Sequence, residues 1–308
     1  MNGGFAYVLV TLAPIFLVIL AGYGLRMRLI TAPAFWDGAE KLTYYLFLPA
    51  LLVSGIAKTE LHAIPLSDMA LGLAGGTLLT ALCARLARPI LGADGAAYSS
   101  MFQGSIRCGA YVSIATAFVL LGDNGVALIA VAIVVIVPLS NLMSVVAILA
   151  NTGEKAGWRR LIISIITNPM ILACLLGVML NLSGIGLPPI IEPLFGILGQ
   201  AALPVGLLAV GAGLRFASLA AAAKLIVTAS VLKLVAMPLF VFILLGALDV
   251  GNPHLLIAVL FAGSSVAPSS YVLARQLGGD ATLMAGIVTA TTLAAMATLP
   301  VLILLAGP

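Results

Sequence analysis

The sequence predicts an all-α membrane protein of ten transmembrane helices, arranged as two inverted five-helix repeats. Three observations predict it. Hydrophobic residues make up 63% of the 308 and charged residues only 8%, with a mean hydropathy of +1.25, a surface that water would not dissolve as a globule. Charge-free runs at 124–153, 161–191 and 281–308 each exceed the roughly 20 residues that a helix needs to cross a bilayer. They also lack the in-out alternation of a transmembrane strand. Finally, a shift of 155 residues superimposes one half of the chain on the other.

Hydrophobic stretches separated by charge or turn clusters fall at 5–25, 36–57, 66–87, 97–121 and 126–150, then at 161–182, 190–214, 220–248, 253–277 and 281–305. The first span has no basic segment before it and leads directly into more membrane, so it reads as a retained helix and not a cleaved signal. Lys and Arg set the orientation. With the N-terminus outside, the cytoplasmic connections carry Arg26, Arg28, Arg85, Arg88, Lys155, Arg159, Arg160, Arg215 and Arg275, and the external loops carry Lys58 with Glu60, Asp68, Asp123, Glu192 and Asp249. That bias predicts both termini on the external, periplasmic face of a plasma (bacterial inner) membrane.

The formal charge of +4 is therefore an orientation signal and not a nucleic-acid patch, because no basic residues cluster with aromatics on a soluble domain. Cys83, Cys108 and Cys174 lie inside spans without metal-ligand spacing. They read as small buried hydrophobes, with Cys108 open to a second reading as a cavity residue.

At the 155-residue offset Pro14 aligns with Pro169, Gly22 with Gly177, Leu25 with Leu180, Ile30 with Ile185 and Pro49 with Pro204. Five spans per copy is an odd number, so the copies enter the membrane from opposite sides. Such inverted repeats suit alternating access. The domains expected are a first repeat at 1–150, a cytoplasmic linker at 151–160 and a second repeat at 161–308.

Two spans look broken. The fourth contains Gly104-Ser105-Ile106-Arg107-Cys108-Gly109, which puts a guanidinium at lipid depth, a cost of roughly 2.5 to 3.5 kcal/mol on insertion scales. The ninth contains Gly263-Ser264-Ser265-Val266-Ala267-Pro268-Ser269-Ser270 at the place the repeat equates with 108–115. Pro268 cannot continue a hydrogen-bond ladder, and the hydroxyls can satisfy freed carbonyls or ease helix packing. Gly72, Gly75, Gly76, Gly211 and Gly213 fit packing alone.

Along nearly its whole length the chain is similar to the auxin efflux carriers, a family that includes plant auxin exporters and bacterial carboxylate carriers. The most specific stretch is Ala267-Pro268-Ser269-Ser270-Tyr271-Val272-Leu273-Ala274-Arg275-Gln276-Leu277-Gly278-Gly279-Asp280. Pro14-Ile15-Phe16, Gly22-Tyr23-Gly24-Leu25, Leu48-Pro49-Ala50-Leu51-Leu52, Pro138-Leu139-Ser140-Asn141 and Asn168-Pro169 support it. The resemblance implies broken helices 4 and 9 that cross at mid-membrane, an NhaA-like and bile-acid-symporter-like plan. It also implies a scaffold from helices 1, 2, 6 and 7, a transport unit from helices 3–5 and 8–10, and a homodimer. One departure stands out: bacterial members resemble Arg-x-Asn-x-Tyr at the fourth-helix crossover, whereas this chain reads Arg107-Cys108-Gly109-Ala110-Tyr111, with glycine in the asparagine position.

Arg107 and Lys233 are the two cations deep in spans, and no acidic residue lies as deep. That imbalance predicts an anionic substrate, since a guanidinium fork can grip a carboxylate with two parallel hydrogen bonds. Arg107 has a structural alternative, bonding carbonyls freed by the break. Lys233 has one too, as a snorkelling or carbonyl-paired side chain. The candidate substrate contacts are Gln103, Ser105, Arg107, Cys108, Gly109 and Tyr111 on the first break, Asn141 on the fifth span, and Ser264, Ser265, Pro268, Ser269, Ser270 and Tyr271 on the second, with Lys233 as charge support.

These features predict a secondary carrier of a small organic anion, a carboxylate or dicarboxylate, working in the lipid bilayer. A sodium-coupled organic-anion symporter of the bile-acid type and an exporter of auxin-like aromatic acids are the alternatives. No cofactor motif is present, and no phosphate-cradling loop supports ATP coupling. His62 and His254 lie near external loops, and the sequence does not distinguish proton from sodium as coupling ion. The spans offer neither histidine nor paired carboxylates for an intramembrane enzyme.

Overall fold

The structure is a computed structural model that describes residues 5–59, 65–152, 163, 166–220 and 222–307. Glu60, His62, Lys155, Arg159, Arg160 and most of the linker lie outside the described residues. The described residues form helices and contain no strand. Among the described residues six segments are long and apolar enough to cross a membrane: Ala6–Arg28, Leu66–Leu91, Gly95–Asn151, Ile191–Ala212, Ala223–Ala247 and Ala281–Ala306. Of the remaining expected spans, the second forms continuous helix over 33–57 but carries Asp37, Glu40 and Lys41 in its first turns, the ninth is divided by an irregular stretch, and the sixth is described as Pro169–Leu182.

The helices are α1 (Phe5–Arg28), α2 (Pro33–Leu42), α3 (Leu48–Ala57), α4 (Leu66–Leu91), α5 (Gly95–Ile106), α6 (Ala110–Thr152), α7 (Pro169–Leu182), α8 (Ile191–Ala212), α9 (Ala223–Val231), α10 (Met237–Ala247), α11 (His254–Ala262), α12 (Ser269–Gln276) and α13 (Ala281–Ala306). Short π turns join α2 to α3 at Thr43–Phe47 and α9 to α10 at Leu232–Ala236. α6 alone counts 43 residues, about 65 Å if it were straight at 1.5 Å per residue, far more than the ~30 Å hydrocarbon layer. Gly122, at φ 59 and ψ −141, divides it, a conformation open to glycine and strained for other residues.

The chain falls into two compact units. One comprises Met1–Pro65, Tyr111–Val134 and Ser164–Gly213, and the other comprises Leu66–Ala110, Val135–Ile163 and Leu214–Pro308. Each unit therefore draws on both halves of the sequence.

In the first unit α1 packs along α8, and α3 packs along both α7 and α8. Lipid gives little hydrophobic drive for such contacts, so close backbone approach matters more. At Gly211 a Cβ would lie 1.7 Å from the Ile19 carbonyl oxygen, so α1 and α8 touch there only because glycine has none. Polar caps close the helix ends. The Arg26 guanidinium donates to the Ala212 carbonyl, and the Asn181 amide donates to the Ile56, Ala57 and Thr59 carbonyls at 3.0, 3.3 and 2.6 Å. Arg26 and Asn181 are 155 residues apart, and so are Ala57 and Ala212. Side chains 155 residues apart thus cap carbonyls 155 residues apart. The aligned prolines differ locally, because Pro14 lies inside α1 while Pro169 begins α7 behind an Asn168 cap.

In the second unit α4 runs along α10, while α5 packs on α4, α9 and α13. Tyr98, Met101, Phe102 and Ile106 on one side, with Leu283, Met284 and Ile287 on the other, form its buried apolar core. Asp94 caps α5 by accepting from the Ala97 amide at 2.8 Å, and Asp280 caps α13 by accepting from the Leu283 amide at 2.9 Å. Ser100 ties the two starts together by donating to the Asp280 carbonyl at 3.0 Å.

Candidate functional site

The second unit contains both irregular stretches. α5 stops at Ile106, Arg107 turns to extended backbone (φ −82, ψ 133), and helix resumes at Ala110. α11 stops at Ala262, and α12 begins only at Ser269, directly after Pro268. The proline thus sits at the edge of the gap, where its missing N–H breaks no ladder. The two gaps meet: the Gly109 amide donates to the Ser265 carbonyl at 2.7 Å. A Cβ on Gly109 would lie 2.8 Å from that same oxygen. Glycine at this place is therefore what allows two stretches of irregular backbone to bond. The second gap is also pinned from α13, where Thr291 accepts from the Val266 amide at 3.2 Å and donates to the Ile287 carbonyl at 2.8 Å.

Arg107 is 8% exposed. Its Nη1 donates to Gln103 Oε1 at 3.0 Å and its Nη2 to Ser269 Oγ at 3.1 Å. Gln103, fully buried, passes the connection on by donating to the Ser270 carbonyl at 3.2 Å. A chain of bonds thus runs from one gap to the other through the guanidinium. Ser269 is the first residue of α12, so the cation is held beside a helix N-terminus, itself the equivalent of about half a positive charge. The Ser270 hydroxyl is buried there with no hydrogen-bond partner among the described residues. Two positive groups and an unused hydroxyl at one point favour an anion.

Lys233 is 0% exposed. Its ammonium donates to the Ala262 carbonyl, the last residue of α11, and Cys108 lies within hydrogen-bonding reach of both Lys233 and Ser264. Among the described residues, Arg107 and Lys233 are the buried charged side chains.

The structure brings together Gln103, Arg107, Cys108, Gly109, Lys233, Ser264, Ser265, Pro268, Ser269 and Ser270. Other expected contacts are occupied elsewhere. Ser105 donates to the Met101 carbonyl at 2.9 Å within its own helix, while Ser264, though in the cluster, also donates to the Phe261 carbonyl at 2.8 Å. The Tyr271 ring carries the Arg215 guanidinium 5.4 Å from its centroid. Asn141 is half-buried on α6. Tyr111 belongs to the other unit, where its ring packs on Gly206 and its buried hydroxyl has no hydrogen-bond partner among the described residues. Thr291 was not among the expected residues. The signal for it was the cluster Thr289, Thr291 and Thr292 inside an apolar span.

A polytopic bundle of apolar helices that buries a guanidinium beside a helix break has the makings of a membrane transport protein, and residues 154–303 match the family model of that description. That match covers just under half of the chain and makes it similar to the auxin efflux carrier and membrane transport family, whose members are transporters. The matched region contains the second gap and Lys233, whereas Arg107 precedes it. No curated protein matches the chain.

Proposed function

We propose that this membrane transporter is a secondary carrier of a small organic anion, a carboxylate or dicarboxylate, held at Arg107 where the two helix gaps meet. The carrying observation is the Arg107 guanidinium, 8% exposed and bonded to Gln103 and Ser269, beside the N-terminus of α12 and the unpartnered Ser270 hydroxyl. A buried guanidinium is costly in a membrane, and an arriving anion would stabilise it.

Alternating access through two inverted five-helix repeats is part of this reading. Its support is the matched capping of Ala57 and Ala212 by Asn181 and Arg26, and the packing of α1 on α8 alongside that of α3 on α7. The scaffold would be the unit that holds the first, second, sixth and seventh spans. External termini, a bacterial inner membrane and a homodimer complete the proposal, the first from the distribution of Lys and Arg.

The test is uptake of labelled malonate and malate into proteoliposomes. Accumulation above protein-free liposomes, saturable and blocked by excess unlabelled acid, is expected. Uptake that rises linearly with concentration, or unitary conductance events in a planar bilayer, would overturn the carrier reading.

A further inference from the structure

Lys233 has a role that the anion site does not use. It lies in the π turn Leu232–Ala236, an irregularity that often marks functional positions in helices. Its ammonium donates to the carbonyl of Ala262, with Cys108 against it and Ser264 on the far side of Cys108. The last carbonyls of a helix have no partner within the helix and carry its negative end. At broken helices of carriers, such unwound carbonyls and hydroxyls are the groups that bind a coupling cation.

The turn packs against α4, α5, α9, α10 and α13. Their charged and titratable residues are Asp68, Cys83, Arg85 and Arg88 on α4, Tyr98 on α5 and Lys224 on α9. Arg88 covers the Tyr98 ring and Lys224 donates to the Ile90 carbonyl. Among the described residues no carboxylate bonds Lys233. Its polar surroundings are a helix-end carbonyl and a thiol, with the Ser264 hydroxyl beyond the thiol, which is a cation's site and not half of an ion pair.

We propose that the Lys233 ammonium is a resident cation at the second gap, filling the place a coupling sodium ion would take, so that the carrier binds its anion without sodium. This rests on the anion-carrier reading. The tethered charge neutralises the C-terminal end of α11 permanently, and only the anion then has to arrive and leave.

The experiment measures binding of labelled malonate, malate and phenylacetate to purified full-length protein in sodium, potassium and choline chloride, for wild type, Lys233→Met and Lys233→Ala. Wild-type affinity should agree within about twofold across the three salts, and Lys233→Met, which keeps the volume but not the charge, should weaken binding by about tenfold or more. Methylammonium added to Lys233→Ala should restore binding by refilling the vacated place. Wild-type binding that requires sodium overturns the proposal without any variant having to fold. Wild-type affinity in folded Lys233→Met, or no recovery of Lys233→Ala with methylammonium, also counts against it. Absence of binding by all three acids in every salt instead overturns the anion-carrier reading on which it stands.

Discussion

The two gaps place their charges differently. The first is three residues long and carries its cation in its own sequence, Arg107, followed by a glycine that lets the backbones meet. The second is six residues long, rich in hydroxyls, and has its cation supplied from another helix by Lys233 at the end of α11. In the first unit, by contrast, Arg26 and Asn181 perform the same capping at equivalent positions. Equivalent backbone positions thus keep similar duties where they only close helix ends, and part company where a ligand would bind. Unequal charges give an anion one preferred anchor, the guanidinium, with the hydroxyls of α12 on its other side.

The largest expected effect comes from removing that anchor. Arg107→Ala should abolish measurable binding of the carboxylate that the wild type binds best, a loss of about 2 kcal/mol or more for a charge-assisted contact. Arg107→Lys should recover part of it, because the point charge returns without the fork. Equilibrium binding with labelled acid measures both, and unaltered affinity in Arg107→Ala would erase the difference between the gaps.

Substituting Gly109 should come next, through stability before affinity. A side chain 2.8 Å from the Ser265 oxygen forces the gaps apart, so Gly109→Ala should cost about 1 to 3 kcal/mol and lower the unfolding midpoint in detergent. Gly109→Asn should be worse. A midpoint equal to wild type would show that the gaps do not depend on that contact.

Ser270→Ala removes a hydroxyl without a partner among the described residues. It should leave the midpoint unchanged and weaken anion binding several-fold, about 1 kcal/mol. Ser105→Ala is the smallest change, within ~0.5 kcal/mol on both measurements, because its hydroxyl serves only the Met101 carbonyl. A strong binding defect in Ser105→Ala would move the site along α5.

Much of this was legible in the sequence, because a membrane demands long apolar runs and makes a buried arginine conspicuous. The breaks at Arg107 and before Ser269 were readable from glycine, proline and hydroxyl content. Partner choice was not. Nothing local says that Ser105 bonds backward while Ser270 stays unpartnered, since that depends on which carbonyl each rotamer meets. Gly109 reads in sequence as a departure at a substrate position, yet the structure makes it the contact between the gaps, a matter of tertiary approach. The sequence leaves Lys233 open as charge support or as a snorkelling or carbonyl-paired side chain, and the structure adds its bond to the Ala262 carbonyl. Thr291 was missed because a threonine in an apolar span is usually satisfied by its own helix, and it is, while also accepting from Val266.

The central claim is that the two gaps build one anion site around Arg107. Thermal unfolding of wild type and Arg107→Ala against a panel of carboxylic acids and their neutral amides tests it most directly, because a ligand of the folded state raises the midpoint. At least one acid should raise the wild-type midpoint while its amide does not, and Arg107→Ala should respond to neither. Equal shifts by acid and amide, or an acid shift that survives in Arg107→Ala, would contradict the account.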